Sequence, residues 1–139
     1  MSGASGGSGI AVQSSRAIIH GNNIGPIGGW NGLWLIGSFD VDAQNNTISD
    51  IAREPVIAGD YWAGDNPDVR RLYFANNQVS TPGTGSCQSN THWGGEFTCP
   101  VVMVHRAGAT LVDNVFTAGG TADGIRATGA LLNLSLIHI

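Results

Sequence analysis

Gly32-Leu33-Trp34-Leu35, followed by Asn46-Thr47-Ile48 fourteen residues after that glycine, is the stretch on which the fold turns. Leu33 and Leu35 are apolar at alternate positions, the period of a strand with an inside and an outside. The same frame recurs as Gly9-Ile10-Ala11-Val12, Pro55-Val56-Ile57-Ala58, Pro100-Val101-Val102-Met103 and Gly124-Ile125-Arg126-Ala127. First residues are separated by 23, 23, 45 and 24. The asparagine recurs as Asn22 with Ile24, Asn77 with Val79 and Asn114 with Phe116.

A repeat near 23 residues that cannot bury its apolar face alone implies stacking of successive copies. Five strands at ~4.8 Å spacing make a parallel sheet roughly 20 Å long. Ile10, Leu33, Val56, Val101 and Ile125 are then expected in one interior file, and Val12, Leu35, Ala58, Met103 and Ala127 in a second. The asparagines are expected to adopt the left-handed bend between strands and to hydrogen-bond along a column of identical neighbours. Ordinary turn asparagines are the alternative. A helix over Asp68–Asn77, with Val69, Leu72, Tyr73 and Asn76 on one face, explains no other segment, so the repeat is preferred. The interval of 45 residues is read as one repeat carrying two insertions, about 60–71 and 80–99. The chain divides into a flexible Gly/Ser-rich start, 1–8, and the repeat region, 9–139.

Composition agrees with short strands joined by tight turns. Glycine supplies 21 of 139 residues, yet 42% of the chain is apolar, so a core is affordable. All six cations are arginine, and the formal charge is -4. Without lysine a P-loop, a Schiff-base lysine and a lysine-rich nucleic-acid face are excluded within the chain. No apolar run reaches membrane-spanning length, and Met1–Gly7 lacks the basic and apolar parts of a signal peptide. A soluble chain is expected.

The G-[LI]-x-[LA] strand and N-x-[IVF] turn column, in coils of 22 to 25 residues over Gly9–Leu134, resemble the right-handed parallel β-helix of the pectate-lyase-like superfamily. The resemblance implies an all-β solenoid of about five coils, with both insertions in the third. It also implies a secreted or cell-surface protein that binds an extracellular polysaccharide, with cleavage by a lyase or glycoside hydrolase as a further option. A non-enzymatic tailspike or adhesin segment is the competing class. No nucleic-acid or membrane partner is expected, and the oligomeric state is open. Family members usually have more coils and an N-terminal capping helix, so the chain is expected to be a piece of a longer protein. Leu134–Ile139 reads equally as the start of a sixth strand and as translated sequencing adapter.

In the expected register, outward positions on the first sheet are Trp34, Ile57, Val102 and Arg126, then Gln13, Ile36, Gly59, Val104 and Thr128. Asp60 falls beside His105 and Tyr61 beside Arg106. A carboxylate one strand spacing from an imidazole is a candidate acid-base pair, so Asp60, His105 and Arg106 are the candidate catalytic residues. The insertions hold Tyr61, Trp62, Asp65, Asp68, Arg70, Arg71, His92, Trp93 and Glu96, the residue types suited to sugar stacking and hydrogen bonding. With Trp34 and Arg126 on the sheet, Tyr61, Trp62, Arg70, Arg71, His92 and Trp93 are the candidate substrate-binding residues. Packing of Trp62 and Trp93 within their own loops, and plain solvation of Arg70-Arg71, are the duller readings. In the lyases of this superfamily acidic residues bind calcium and an arginine abstracts the proton. The resemblance would give Asp60, Asp65 and Asp68 as ligands and Arg106 or Arg70 as base, although the spacing is no known calcium loop. The aspartate, histidine and lysine set of the related hydrolases is absent. Cys87 and Cys99 enclose the second insertion, where a disulfide would contribute roughly 3 kcal/mol in an oxidising compartment. Two free thiols are the alternative, and the Cys87, His92, Cys99 spacing argues against zinc.

Overall fold

The computed structural model describes residues 7–13, 16–36, 40–59, 71–82, 101–105, 108–119, 124–128 and 131–135. Strands form where apolar and polar residues alternate. Asp40-Val41-Asp42-Ala43-Gln44 buries Val41 and Ala43 and leaves the three polar residues partly exposed. In chain order the strands are β1 (Ile10–Gln13), β2 (Ala17–His20), β3 (Asn23–Ile24), β4 (Leu33–Ile36), β5 (Asp40–Gln44), β6 (Thr47–Ile48) and β7 (Val56–Gly59). They continue as β8 (Arg71–Ala75), β9 (Gln78–Thr81), β10 (Val102–His105), β11 (Gly108–Val112), β12 (Val115–Ala118), β13 (Ile125–Thr128) and β14 (Leu131–Ser135). No helix occurs among the described residues, and Arg71–Ala75, inside the rejected helical window, is strand.

The strands assemble into three parallel sheets, ordered β1-β4-β7-β10-β13, β2-β5-β8-β11-β14 and β3-β6-β9-β12. Consecutive strands enter the sheets in rotation, so each strand pairs with the one laid down a circuit earlier. Most of the two insertions read from the sequence lies outside the described residues, while Arg71 belongs to β8 and Ser80 and Thr81 to β9. Cys87 and Cys99 lie outside the described residues.

The first sheet has a register that corrects the expected one. Ile10 pairs Leu33, Leu33 pairs Val56, Val56 pairs Val102 and Val102 pairs Ile125. The interior file therefore contains Val102 in place of Val101, followed two residues on by Val104 in place of Met103. Both Val102 and Val104 are fully buried, although each was expected to face outward. The intervals become 23, 23, 46 and 23, so the long circuit is a whole multiple of the repeat. Sequence pattern misplaced this strand because Val101, Val102 and Val104 are all apolar and all buried, which hides the alternation. A slip of one residue exchanges the two faces.

Each sheet turns alternate side chains inward, in files that run along the stack. Leu33, Val56 and Val102 come from the first sheet, Ala43, Phe74 and Leu111 from the second, and Ile24, Ile48, Val79 and Phe116 from the third, all nearly or fully buried. Phe74 stacks on Phe116 at 6.4 Å between ring centroids. Burying each large side chain contributes about 1.5–3 kcal/mol.

The bend from the second sheet to the third uses two adjacent residues with separate tasks. The left-handed conformation belongs to Gly21, Asn45, Asn76 and Asp113, with φ between 52° and 66°. It does not belong to the column asparagines, which follow one residue later. Glycine, asparagine and aspartate are the residues that tolerate it at least cost. The next residue builds the ladder. Asn46 Oδ1 accepts from both the backbone N–H and the Nδ2 of Asn22, at 3.0 Å each. Asn77 Oδ1 does the same for Asn46, at 2.9 Å, and Asn114 Oδ1 for Asn77, at 2.9 and 3.0 Å. The second amide hydrogens of Asn46, Asn77 and Asn114 go to the carbonyls of Ile19, Ala43 and Phe74. A buried column is thereby satisfied, with donation running from each circuit to the next.

The glycines that open the first two repeats, Gly9 and Gly32, have a steric origin. A Cβ at Gly32 would lie 2.6 Å from Ile48 Cγ2 and 2.7 Å from the Pro55 carbonyl. The chain enters β4 too close to the third sheet for any side chain.

Candidate functional site

Counting back from the ladder locates the outer face of the second sheet. Ile18, Asp42, Tyr73, Thr110 and Asn133 lie in one register row across β2, β5, β8, β11 and β14. Arg16, Asp40 and Arg71 lie alongside, two residues earlier: Asp40 and Arg71 open β5 and β8, and Arg16 immediately precedes β2. An open groove of about 820 Å³ runs over this face, lined by Arg16, Ile18, Asp40, Asp42, Arg71 and Tyr73 among others. A second hollow of about 440 Å³ shares Arg71 and Tyr73 and continues past Thr110 to Asn133. The groove thus crosses the strands, along the direction in which circuits stack, for about 19 Å at ~4.8 Å per strand.

Two polar clusters organise the surface. Asp40 is held between two arginines, with Arg71 Nε 2.6 Å from Oδ1 and Arg16 Nε 3.2 Å from Oδ2. The hydrogen bond from Arg71 holds the Asp40 carboxyl below the ordinary carboxylate range, with the charges of Arg71 and Arg16 adding to it against the cost of burial. The same contact raises Arg71 above the usual guanidinium value. Asp42 Oδ1 accepts from Gln44 Nε2 at 2.7 Å and lies 3.1 Å from His20 Nε2. The Gln44 hydrogen bond is the largest cause lowering the Asp42 pKa; partial burial opposes it and His20 assists. Ile18 and Tyr73 flank Asp42 on the neighbouring strands, and the two residues are 77% and 42% exposed. The face combines planar hydrogen-bonding groups, an aromatic ring and an aliphatic ledge.

A general acid needs a carboxyl that keeps its proton near neutrality, whereas both aspartates here are held ionised. No three His, Cys, Asp or Glu among the described residues group as metal ligands. Asp60, Asp65 and Asp68, the residues that the lyase resemblance gives for a calcium centre, lie outside the described residues.

Of the residues expected to bind substrate, Arg71 lies in the groove. Trp34 is half-buried on the first sheet and meets Trp30 edge-on, with centroids 5.6 Å apart. Arg126 occupies the row of Trp34, Ile57 and Met103 by backbone register. Ile57, expected to face outward, is fully buried. His105 pairs with Gly59 and Thr128, one residue away from the register that set it beside Asp60. Asp60, Tyr61, Trp62, Arg70, His92, Trp93, Glu96 and Arg106 lie outside the described residues.

Arg16, Ile18, His20, Asp40, Asp42, Gln44 and Tyr73 escaped the sequence reading, which followed the first strand of each repeat. The signal was present. Four residues before Asn22, Asn46, Asn77 and Asn114 stand Ile18, Asp42, Tyr73 and Thr110, and six before the first three stand Arg16, Asp40 and Arg71.

No protein-family model matches the chain, and neither the curated proteins nor the solved structures include a significantly similar one.

Proposed function

We propose that the chain is a segment of a right-handed parallel β-helix of about five coils, of the pectate-lyase-like kind, that binds an extracellular polysaccharide along the outer face of its second sheet. Rotation of the strands through three parallel sheets supports the coil reading, and parallel crossovers are overwhelmingly right-handed. The observation that carries the binding role is the groove itself. It runs along the stacking direction, and its walls repeat at one strand spacing, which suits an extended polymer better than a small compact ligand.

Binding without cleavage is the better-supported form. Asp40 is paired with Arg16 and Arg71, and Asp42 with Gln44 and His20, while His105 pairs with Gly59. This favours an adhesin-like or tailspike-like role over a lyase or hydrolase, in a secreted or cell-surface setting.

The test is electrophoresis of the whole chain through gels containing soluble polysaccharides, followed by assay of those polymers for new chain ends. Retardation is expected in at least one gel, without new ends. Tyr73→Ala and Arg71→Ala should each weaken retardation about tenfold while leaving the thermal midpoint near that of the parent. Unchanged retardation in both variants would move the binding site elsewhere.

A further inference from the structure

We infer that the polymer held on the second sheet is uncharged, a step that rests on the binding role just proposed. Among the described residues, the charged side chains lining the groove balance: Arg16 and Arg71 against Asp40 and Asp42. The two arginines direct their Nε atoms to opposite oxygens of Asp40, which lies between them in the register. An anionic ligand drawn to either guanidinium must compete with a carboxylate already in place.

Asp42 makes the preference directional. Its Oδ1 is shared by Gln44 and His20, whereas Oδ2 has no partner among the described residues. The carboxylate is held ionised, so Oδ2 can only accept a hydrogen bond. Its complement is a hydroxyl group. A uronate or sulfate at the same place would set like charges against each other in a groove with apolar walls. Tyr73 and Ile18, one strand spacing to either side, offer apolar contact to the C–H faces of a sugar ring whose hydroxyl reaches Asp42. An acceptor between two apolar contacts matches a neutral pyranose unit.

The experiment measures binding of the whole chain to dextran, mixed-linkage β-glucan, galactomannan, polygalacturonate, alginate and a sulfated glycan. Each polymer is tested at about 20 and about 500 mM NaCl. The expected result is binding to at least one neutral polymer, with an affinity that changes less than about twofold between the two salts. Asp42→Asn is expected to weaken that binding about tenfold, through loss of a charge-assisted hydrogen bond. Binding confined to anionic polymers, steeply lost at high salt and strengthened by Asp42→Asn, would overturn the inference and leave polysaccharide binding standing. Failure to bind any of the six would remove the binding role as well.

Discussion

Asn77 shows how much one side chain can settle in a stacked fold. Its Oδ1 receives two hydrogen bonds from Asn46, and its Nδ2 donates to Ala43 O and Asn114 Oδ1, all without access to water. Asn77→Ala leaves those four interactions unmade in a buried site. The expected cost is about 3 kcal/mol or more in urea unfolding at neutral pH. Asn77→Asp is a sharper probe, because a carboxylate keeps the acceptor role and loses both donors. Its stability should rise as pH falls and the buried carboxyl gains a proton, the reverse of the parent chain. In the parent, Asp40 and Asp42 have folded-state pKa values lowered by their hydrogen-bonding partners. Their stabilising contribution is full above the ordinary carboxylate range and is lost as pH falls through the lowered values. Carboxyl NMR titration should show both groups titrating below ordinary aspartates, and Asp40→Asn should make the unfolding midpoint less sensitive to pH between about 5 and 2.

Among the elements, β10 and the entrance to β4 depend most on tertiary context. The pairing of Val102 with Val56 and Ile125 turns Val104 inward, where it has no exposure. Val104→Asp is therefore expected to abolish folding or to cost more than about 4 kcal/mol, measured by thermal and urea unfolding. Tolerance of that substitution would restore the register in which Val101 faces inward. At β4, Gly32→Ala forces a methyl group against Ile48 and the Pro55 carbonyl. A loss of about 1–3 kcal/mol is expected, because backbone cannot move aside as a flexible side chain can.

Across the whole molecule, the cost of a core truncation should depend on its position along the stack. Phe74 and Leu134 lie in the same interior row of the second sheet, through Leu111. Phe74 has strands on both sides and is fully buried, whereas Leu134 on the last described strand is 51% exposed. Phe74→Ala should cost about 3–5 kcal/mol, while Leu134→Ala should cost less than about 1 kcal/mol. Equal costs would mean that the described end is covered in solution. The groove is a property of this same scale, since Arg16, Asp40 and Arg71 come from three circuits and meet through stacking alone.

The repeat period, the positions of four of the five strands of the first sheet, and the asparagine column were legible from the chain because each depends on short-range pattern. Period two marks a face, and a buried amide at a bend needs partners like itself. The register of β10 was not legible, since consecutive apolar residues satisfy either face and only pairing with β7 and β13 chooses between them. Nor did the chain reveal that the left-handed residue precedes the ladder residue, because asparagine suits both tasks and Asn45-Asn46 and Asn76-Asn77 offer one for each. Arg71 alone drew attention in the groove. Its meaning emerged when stacking set it against Asp40, 31 residues away in sequence, because a charged surface takes its character from neighbours that only the folded chain supplies.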